Sequence, residues 1–173
     1  MARKEKKLTE EEKAQEKEVQ RNLVQYLSFT LNSEEYGVEI LRVQEIRCWE
    51  PVSRVPNVPS YEKGVINLRG AIIPIIDLRE RFQLEEANYT ATTAVIILRV
   101  EEEDKTRIVG IVIDSVSDVL DVDKRTVQES PSFGSKVSTD YISGLVEVNG
   151  KMLTLLDIDQ FLSLQEEEEK ELN

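Results

Sequence analysis

The sequence predicts a mainly β fold made of two pseudo-repeated small barrels, with short helices. Two observations carry this. First, segments recur at constant offsets: Gly64-Val65-Ile66-Asn67-Leu68-Arg69-Gly70 matches Gly144-Leu145-Val146-Glu147-Val148-Asn149-Gly150, and Ile72–Leu78 matches Met152–Ile158, both 80 residues on. Upstream, Gly37-Val38, Ile40, Val43 and Ile46 match Gly110-Ile111, Ile113, Val116 and Val119 at an offset of 73. Two matched pairs in the same order mark a duplicated unit. Second, each unit holds several short apolar, β-branched runs with turn signals every ~8–12 residues, the pattern of small barrels rather than one sandwich.

The elements follow in order. Residues 1–21 form a charged leader, a flexible or frayed helix whose start is signalled by the capping-box pair Thr9 and Glu12. The body spans 22–164, with a first barrel over about 22–84, a linker over about 85–93 and a second barrel over about 94–164, between which strands are free to exchange. Tyr26–Leu31 and Ala94–Val100 read as strands, as do Tyr36–Ile40 and Ile108–Ile113. Asn149-Gly150 between apolar runs is a type I′ hairpin signal. Asp77 and Asp157 read as N-caps of short helices carrying Phe82 and Phe161. Pro74 lacks the N–H that a ladder uses, which predicts an edge strand or a bulge. Trp49, followed by Pro51, Pro56 and Pro59, is expected to seal a barrel end, and residues 165–173 form an acidic tail.

Composition excludes whole classes of chemistry. The 173 residues contain no His and one Cys, and 34 acids outweigh 22 bases for a net charge of −12. Without imidazole there is no Ser-His-Asp or Cys-His nucleophile and no His metal site. The pI near 4.6 opposes nucleic-acid binding and anionic membrane surfaces. No run approaches the ~18 apolar residues of a membrane span, so no direct membrane insertion is expected. The leader carries +1, the tail −4 and the body −9, which sets Arg69 as a basic residue on an acidic background. Cys48 has no partner for an internal disulfide, and a reducing compartment follows.

Candidate chemistry is correspondingly thin. Asp114, Asp118, Asp121 and Asp123 lack the spacing, glycine and terminal Glu of a calcium loop, and Gly64–Gly70 lacks the Lys-Ser/Thr of a phosphate loop. No catalytic residue, metal ligand or cofactor site is assigned. A sharper signal lies in the repeat, where Arg69 occupies the place of Asn149. A left-handed Arg costs ~1 kcal/mol that Asn largely avoids, and departures from local preference cluster at functional positions. Ile40, Val43 and Ile46, with Ile113, Val116 and Val119, form a second candidate surface. Most such residues are core; the remainder would line an apolar groove between facing units, a dock for an amphipathic helix.

Together, Tyr36–Ile46, Gly64–Gly70, Ile73–Arg79, Val109–Asp114 and Leu155–Ile158 resemble the bacterial chemotaxis coupling proteins of the CheW family, over about residues 22–164. The resemblance implies two five-stranded, SH3-like barrels packed side by side. It implies a non-catalytic, cytoplasmic adaptor that bridges chemoreceptor cytoplasmic tips to the regulatory domain of the histidine kinase CheA and is recruited to membrane-bound receptor arrays. Receptor contact is implied at Val43, Glu45, Gly64 and Arg69, with Ile40, Ile46, Ile113, Val116 and Val119 adding the groove. Glu45 and Arg69, of opposite charge, are expected to pair. The leader and the tail lie outside the resemblance. Alternatives are a coupling domain of a larger protein, which a Met start and the lack of receiver or kinase sequence disfavour, a carboxylate-pair hydrolase, and a nucleic-acid-binding barrel.

Overall fold

The computed structural model describes residues 7–84, 88–130 and 139–162. Helix α1, Glu10–Asn22, begins at the expected capping box: Glu12 N–H donates to Thr9 Oγ1 (3.2 Å) and Thr9 N–H to Glu12 Oε2 (2.8 Å). It buries no side chain, as its polar sequence requires. Strands follow as β1 (Leu23–Leu31), β2 (Glu34–Glu39), β3 (Val43–Cys48), β4 (Glu62–Leu68) and β5 (Ala71–Asp77). After helix α2 (Leu78–Arg81) come β6 (Ala94–Glu102), β7 (Lys105–Ile113), β8 (Ser115–Asp123), β9 (Ile142–Val148) and β10 (Lys151–Leu156).

The strands form two five-stranded sheets, ordered β8-β1-β2-β10-β9 and β3-β6-β7-β5-β4. The sheets therefore cut across the contiguous halves 22–84 and 94–164 expected from the repeat. The exchange is reciprocal. Replacing each strand of the first order by its repeat counterpart (β1 by β6, β2 by β7, β8 by β3, β9 by β4, β10 by β5) reproduces the second. Each barrel thus joins the leading hairpin of one repeat to the last three strands of the other. The crossovers are short, a 3-10 turn at Ile40–Arg42 and the single residue Asp114, so β3 and β8 must leave their own hairpins for the opposite sheet.

Period-2 alternation divides the apolar side chains into three clusters. Tyr26, Val122, Val146, Leu153 and Leu155 fill the first barrel; Ile73, Ile75, Val95, Ile97 and Val112 fill the second. The intervening positions, among them Leu27, Phe29, Val38, Ile96, Leu98 and Ile111, face the other barrel and form the largest cluster. Central strands are buried on both faces, which is why Ala94–Leu98 is an unbroken apolar run. Among the described residues one isolated bridge closes each barrel, Ser53 to Val65 and Gln128 to Leu145. These are again repeat mates.

Of the two expectations for Pro74 the edge fails, since β5 lies between β7 and β4, while the β4–β5 ladder does carry an irregularity, between Glu62 and Gly64. Pro74 is tolerated because its partner on β4, Val65, directs its own N–H and C=O to Ser53, and the ladder to β7 begins only at Ile75. The missing N–H falls where neither neighbour needs it. Trp49 packs on the second barrel's core and stacks with Tyr89 at 4.5 Å. Charge is divided unequally: eleven acids and three bases belong to the first barrel (23–39, 115–130, 139–162), but nine of each to the second (43–84, 88–113). Arg69 therefore stands on a balanced barrel, not an acidic one.

Candidate functional site

The site is built around the tip of the β4–β5 hairpin. Arg69 has φ 50° and Gly70 φ 88°, matching Asn149 at 51° and Gly150 at 78° in the other barrel. The left-handed geometry expected from Asn-Gly therefore extends to Arg-Gly, and Asn67 Oδ1 supports it by accepting the Gly70 N–H at 2.9 Å. The Arg69 side chain is 82% exposed yet reaches Glu45 Oε2 at 3.5 Å. Glu45 is aimed there by a bulge: Val43 pairs with Leu98, but Glu45 pairs with Ile97, so the irregularity turns the carboxylate towards the barrel seam. The ion pair joins β3, one edge of the second sheet, to the tip of the β4–β5 hairpin at the other edge. At these exposures it is worth ~0–1 kcal/mol and acts mainly on geometry.

Gly64 lies inward from this tip. It is buried with φ 146°, and a Cβ there would stand 2.0 Å from the Ser53 carbonyl oxygen. Its position serves the Ser53–Val65 bridge that closes the barrel, at the base of the Arg69 hairpin.

The apolar candidates separate. Ile40 and Val43 are half-buried against the inter-barrel core, and Ile46 beside them is exposed. Of their repeat mates, Val116 is half-buried and Val119 exposed, on β8 at the edge of the other sheet. Ile113 corrects the expectation: at 1% exposure it belongs to the inter-barrel core and lines no groove, because both faces of β7 are covered at its C-terminal end. Val43 and Ile46 thus lie on β3 and Val116 and Val119 on β8, edge strands of different sheets, with Ile40 in the crossover before β3.

Leu41 was missed. It is 81% exposed, more than any other large apolar residue described, and sits between Ile40 and Arg42 in the first crossover. A signal existed in the repeat, where Asp114 stands at the matching place. Both crossovers are fastened by ion pairs of reversed sense. Arg42 holds Asp159 (Nη2 to Oδ2, 2.6 Å), and Arg79, the repeat mate of Asp159, holds Asp114 (2.7 Å), which also accepts the Asn32 N–H. A rigid crossover keeps Leu41 presented to solvent.

Comparison with known proteins agrees with this architecture. A family model described as CheW-like domain matches residues 25–166. The chemotaxis protein CheW of Klebsiella aerogenes is 45% identical over 142 residues, covering 82% of this chain and 83% of that protein. The chemotaxis protein CheW of Rhizobium meliloti is 35% identical, covering 82% and 89%. The crystal structure of the scaffolding protein TtCheW from Thermoanaerobacter tengcongensis superposes with a TM-score of 0.71 at 27% identity, covering 78% of this chain and 84% of that one. Fold, repeat and hairpin motif converge, and the chain belongs to the CheW-like domain family of chemotaxis coupling proteins.

Proposed function

We propose that this protein is a non-catalytic adaptor that couples chemoreceptor signalling tips to the histidine kinase CheA, working in the cytoplasm and recruited to membrane-bound receptor arrays. The observation that carries the reading is Arg69, held in a left-handed conformation at a hairpin tip, largely exposed, and steered by Glu45. A solvent-directed cation kept against local preference supports a contact role, since departures from local rules concentrate at functional positions. The receptor-facing surface is proposed as Arg69, Glu45, Val43 and Ile46, with Ile40 and Leu41 at its margin. Receptor tips are helical hairpins, and an apolar margin beside an oriented charge pair suits one stripe of such a helix. Val116 and Val119 make up the corresponding margin on β8. No helix among the described residues is long and apolar enough to cross a membrane, so recruitment would run through partners.

The test is a titration of the protein with a receptor-tip fragment and, separately, with the CheA regulatory domain. Both should bind, and Arg69→Ala should weaken the receptor arm while leaving the fold and the CheA arm intact. Failure to bind either partner refutes the adaptor reading.

A further inference from the structure

The two barrel mouths are repeat mates, but among the described residues only one is filled. In the second barrel, residues 88–93 return across the mouth. The Tyr89 ring stacks on Trp49, and its hydroxyl donates to Asp77 Oδ2 at 2.7 Å. Asp77 is thereby buried, while its other oxygen caps α2 through the Arg79 and Glu80 N–H groups. In the first barrel Asp157 holds the same place. Its N–H donates to the Tyr141 carbonyl (2.8 Å) as that of Asp77 does to Tyr61 (2.7 Å), and its carboxylate caps the next turn through the Gln160 N–H (3.1 Å). Yet Asp157 is exposed, and no tyrosine hydroxyl reaches it among the described residues.

The open mouth is a cleft of about 390 Å³ whose lining includes Tyr26, Glu39, Lys124, Ser143 and Asp157. That volume falls within the ~300–1,000 Å³ of ligand clefts. Tyr26 is 6% exposed, and its hydroxyl makes no hydrogen bond to any described residue. The ring is packed away, but the hydroxyl keeps solvent access at the cleft, where an incoming polar group can meet it. Burial first, then the carboxylates of Glu39 and Asp157, raise its pKa and keep it protonated as a donor. The register sharpens the contrast. Tyr26 pairs with Glu39 where the second barrel pairs Val95 with Val112, so polar groups stand in the open mouth at positions that are apolar in the filled one.

We propose that the mouth of the first barrel is a docking pocket for a tyrosine side chain on an extended segment of a partner polypeptide, its hydroxyl donating to Asp157 as Tyr89 donates to Asp77. Tyr26 and Glu39 complete the polar lining around the incoming ring. The occupant is identified by the chain itself, which supplies the same group to the equivalent site.

The probe is the peptide Asn-Tyr-Thr-Ala-Thr-Thr, the sequence of residues 88–93, titrated in trans into the full chain and followed by backbone amide NMR shifts. Shifts should concentrate at Tyr26, Ser143 and Asp157. The same peptide with Phe for Tyr should bind about tenfold more weakly or worse, the effect of one lost hydrogen bond to a charged acceptor. Asp157→Asn keeps a helix cap, and Tyr26→Phe keeps the ring; each should weaken the tyrosine peptide while leaving the unfolding midpoint near that of the parent. Shifts elsewhere, equal binding of the Phe peptide, or no shift at millimolar peptide would overturn the proposal. A lysine-for-tyrosine peptide binding as tightly would overturn it too, by showing that the mouth reads charge alone.

Discussion

Replacing Arg69 by Asn should separate stability from recognition. Arg69 sits at φ 50°, in a conformation its mate Asn149 adopts at 51°. A non-glycine residue in this region costs ~1–2 kcal/mol, and Asn recovers a good part of that because its short polar side chain tolerates left-handed geometry. Against the gain stands the loss of the pair with Glu45. With Arg69 82% exposed and the partners 3.5 Å apart, that loss is ~0–1 kcal/mol. The net expectation for Arg69→Asn runs from no change to a gain of about 1 kcal/mol, or up to ~4 °C in Tm for a domain of this size. Urea unfolding followed by Trp49 fluorescence supplies the stability, and a receptor-tip titration run in parallel supplies the binding. Binding should fall although the fold is as stable or more so. Destabilisation by more than about 1 kcal/mol would show that the ion pair props the barrel and refute the assignment of Arg69 to contact. Undiminished receptor binding would refute it from the other side. A cycle with Glu45→Gln completes the test, and zero coupling in binding would mean that Glu45 does not orient Arg69.

Three further outcomes follow from the geometry. Gly64→Ala should destabilise by at least ~3 kcal/mol, combining backbone strain with a clash against the Ser53 carbonyl, whereas Gly70→Ala, with open space around its Cβ, should cost only ~1–2 kcal/mol by urea midpoint. Asp77 has its pKa raised above 3.8, chiefly by burial, against the lowering effect of its bonds from Tyr89 and the backbone, so the folded state holds this proton more tightly than the unfolded chain. Stability from this group should therefore increase as pH falls from above the raised value towards 3.8; Asp77→Asn, which keeps a cap, should flatten that part of the urea-midpoint profile, and an unaltered slope would assign it to other groups. Reversing the crossover pair singly, as Arg42→Asp or Asp159→Arg, should cost ~1–3 kcal/mol for a partly buried pair, with the double reversal recovering most of it; additive losses would mean that no specific pairing fastens the crossover.

Much of the site was legible before any coordinates. The Arg-Gly and Asn-Gly tips, the Asp77 and Asp157 caps and the Thr9 capping box are local features, decided by a few consecutive side chains acting on their own backbone. The Glu45–Arg69 pair followed from charge together with the family resemblance. Ile113 was expected at a groove because a strand pattern tells which residues share a face, not what covers that face, whereas Gly64 rested on the family resemblance alone. Leu41 escaped because a short crossover carries no periodicity to read.

By itself the sequence determined that two copies of one β unit exist, where their hairpins turn and which residues alternate along each strand. Only the tertiary structure decided that the copies exchange strands, that Pro74 lies inside a sheet and that one barrel carries the acidic excess. The reason is physical. Turn and cap preferences act over a few bonds, whereas a strand's partner is chosen by burial and ladder hydrogen bonds between segments as distant in sequence as Glu35 and Leu153. Two similar hairpins can satisfy those bonds with either copy, and crossovers as short as Ile40–Arg42 and Asp114 leave β3 and β8 only the opposite sheet.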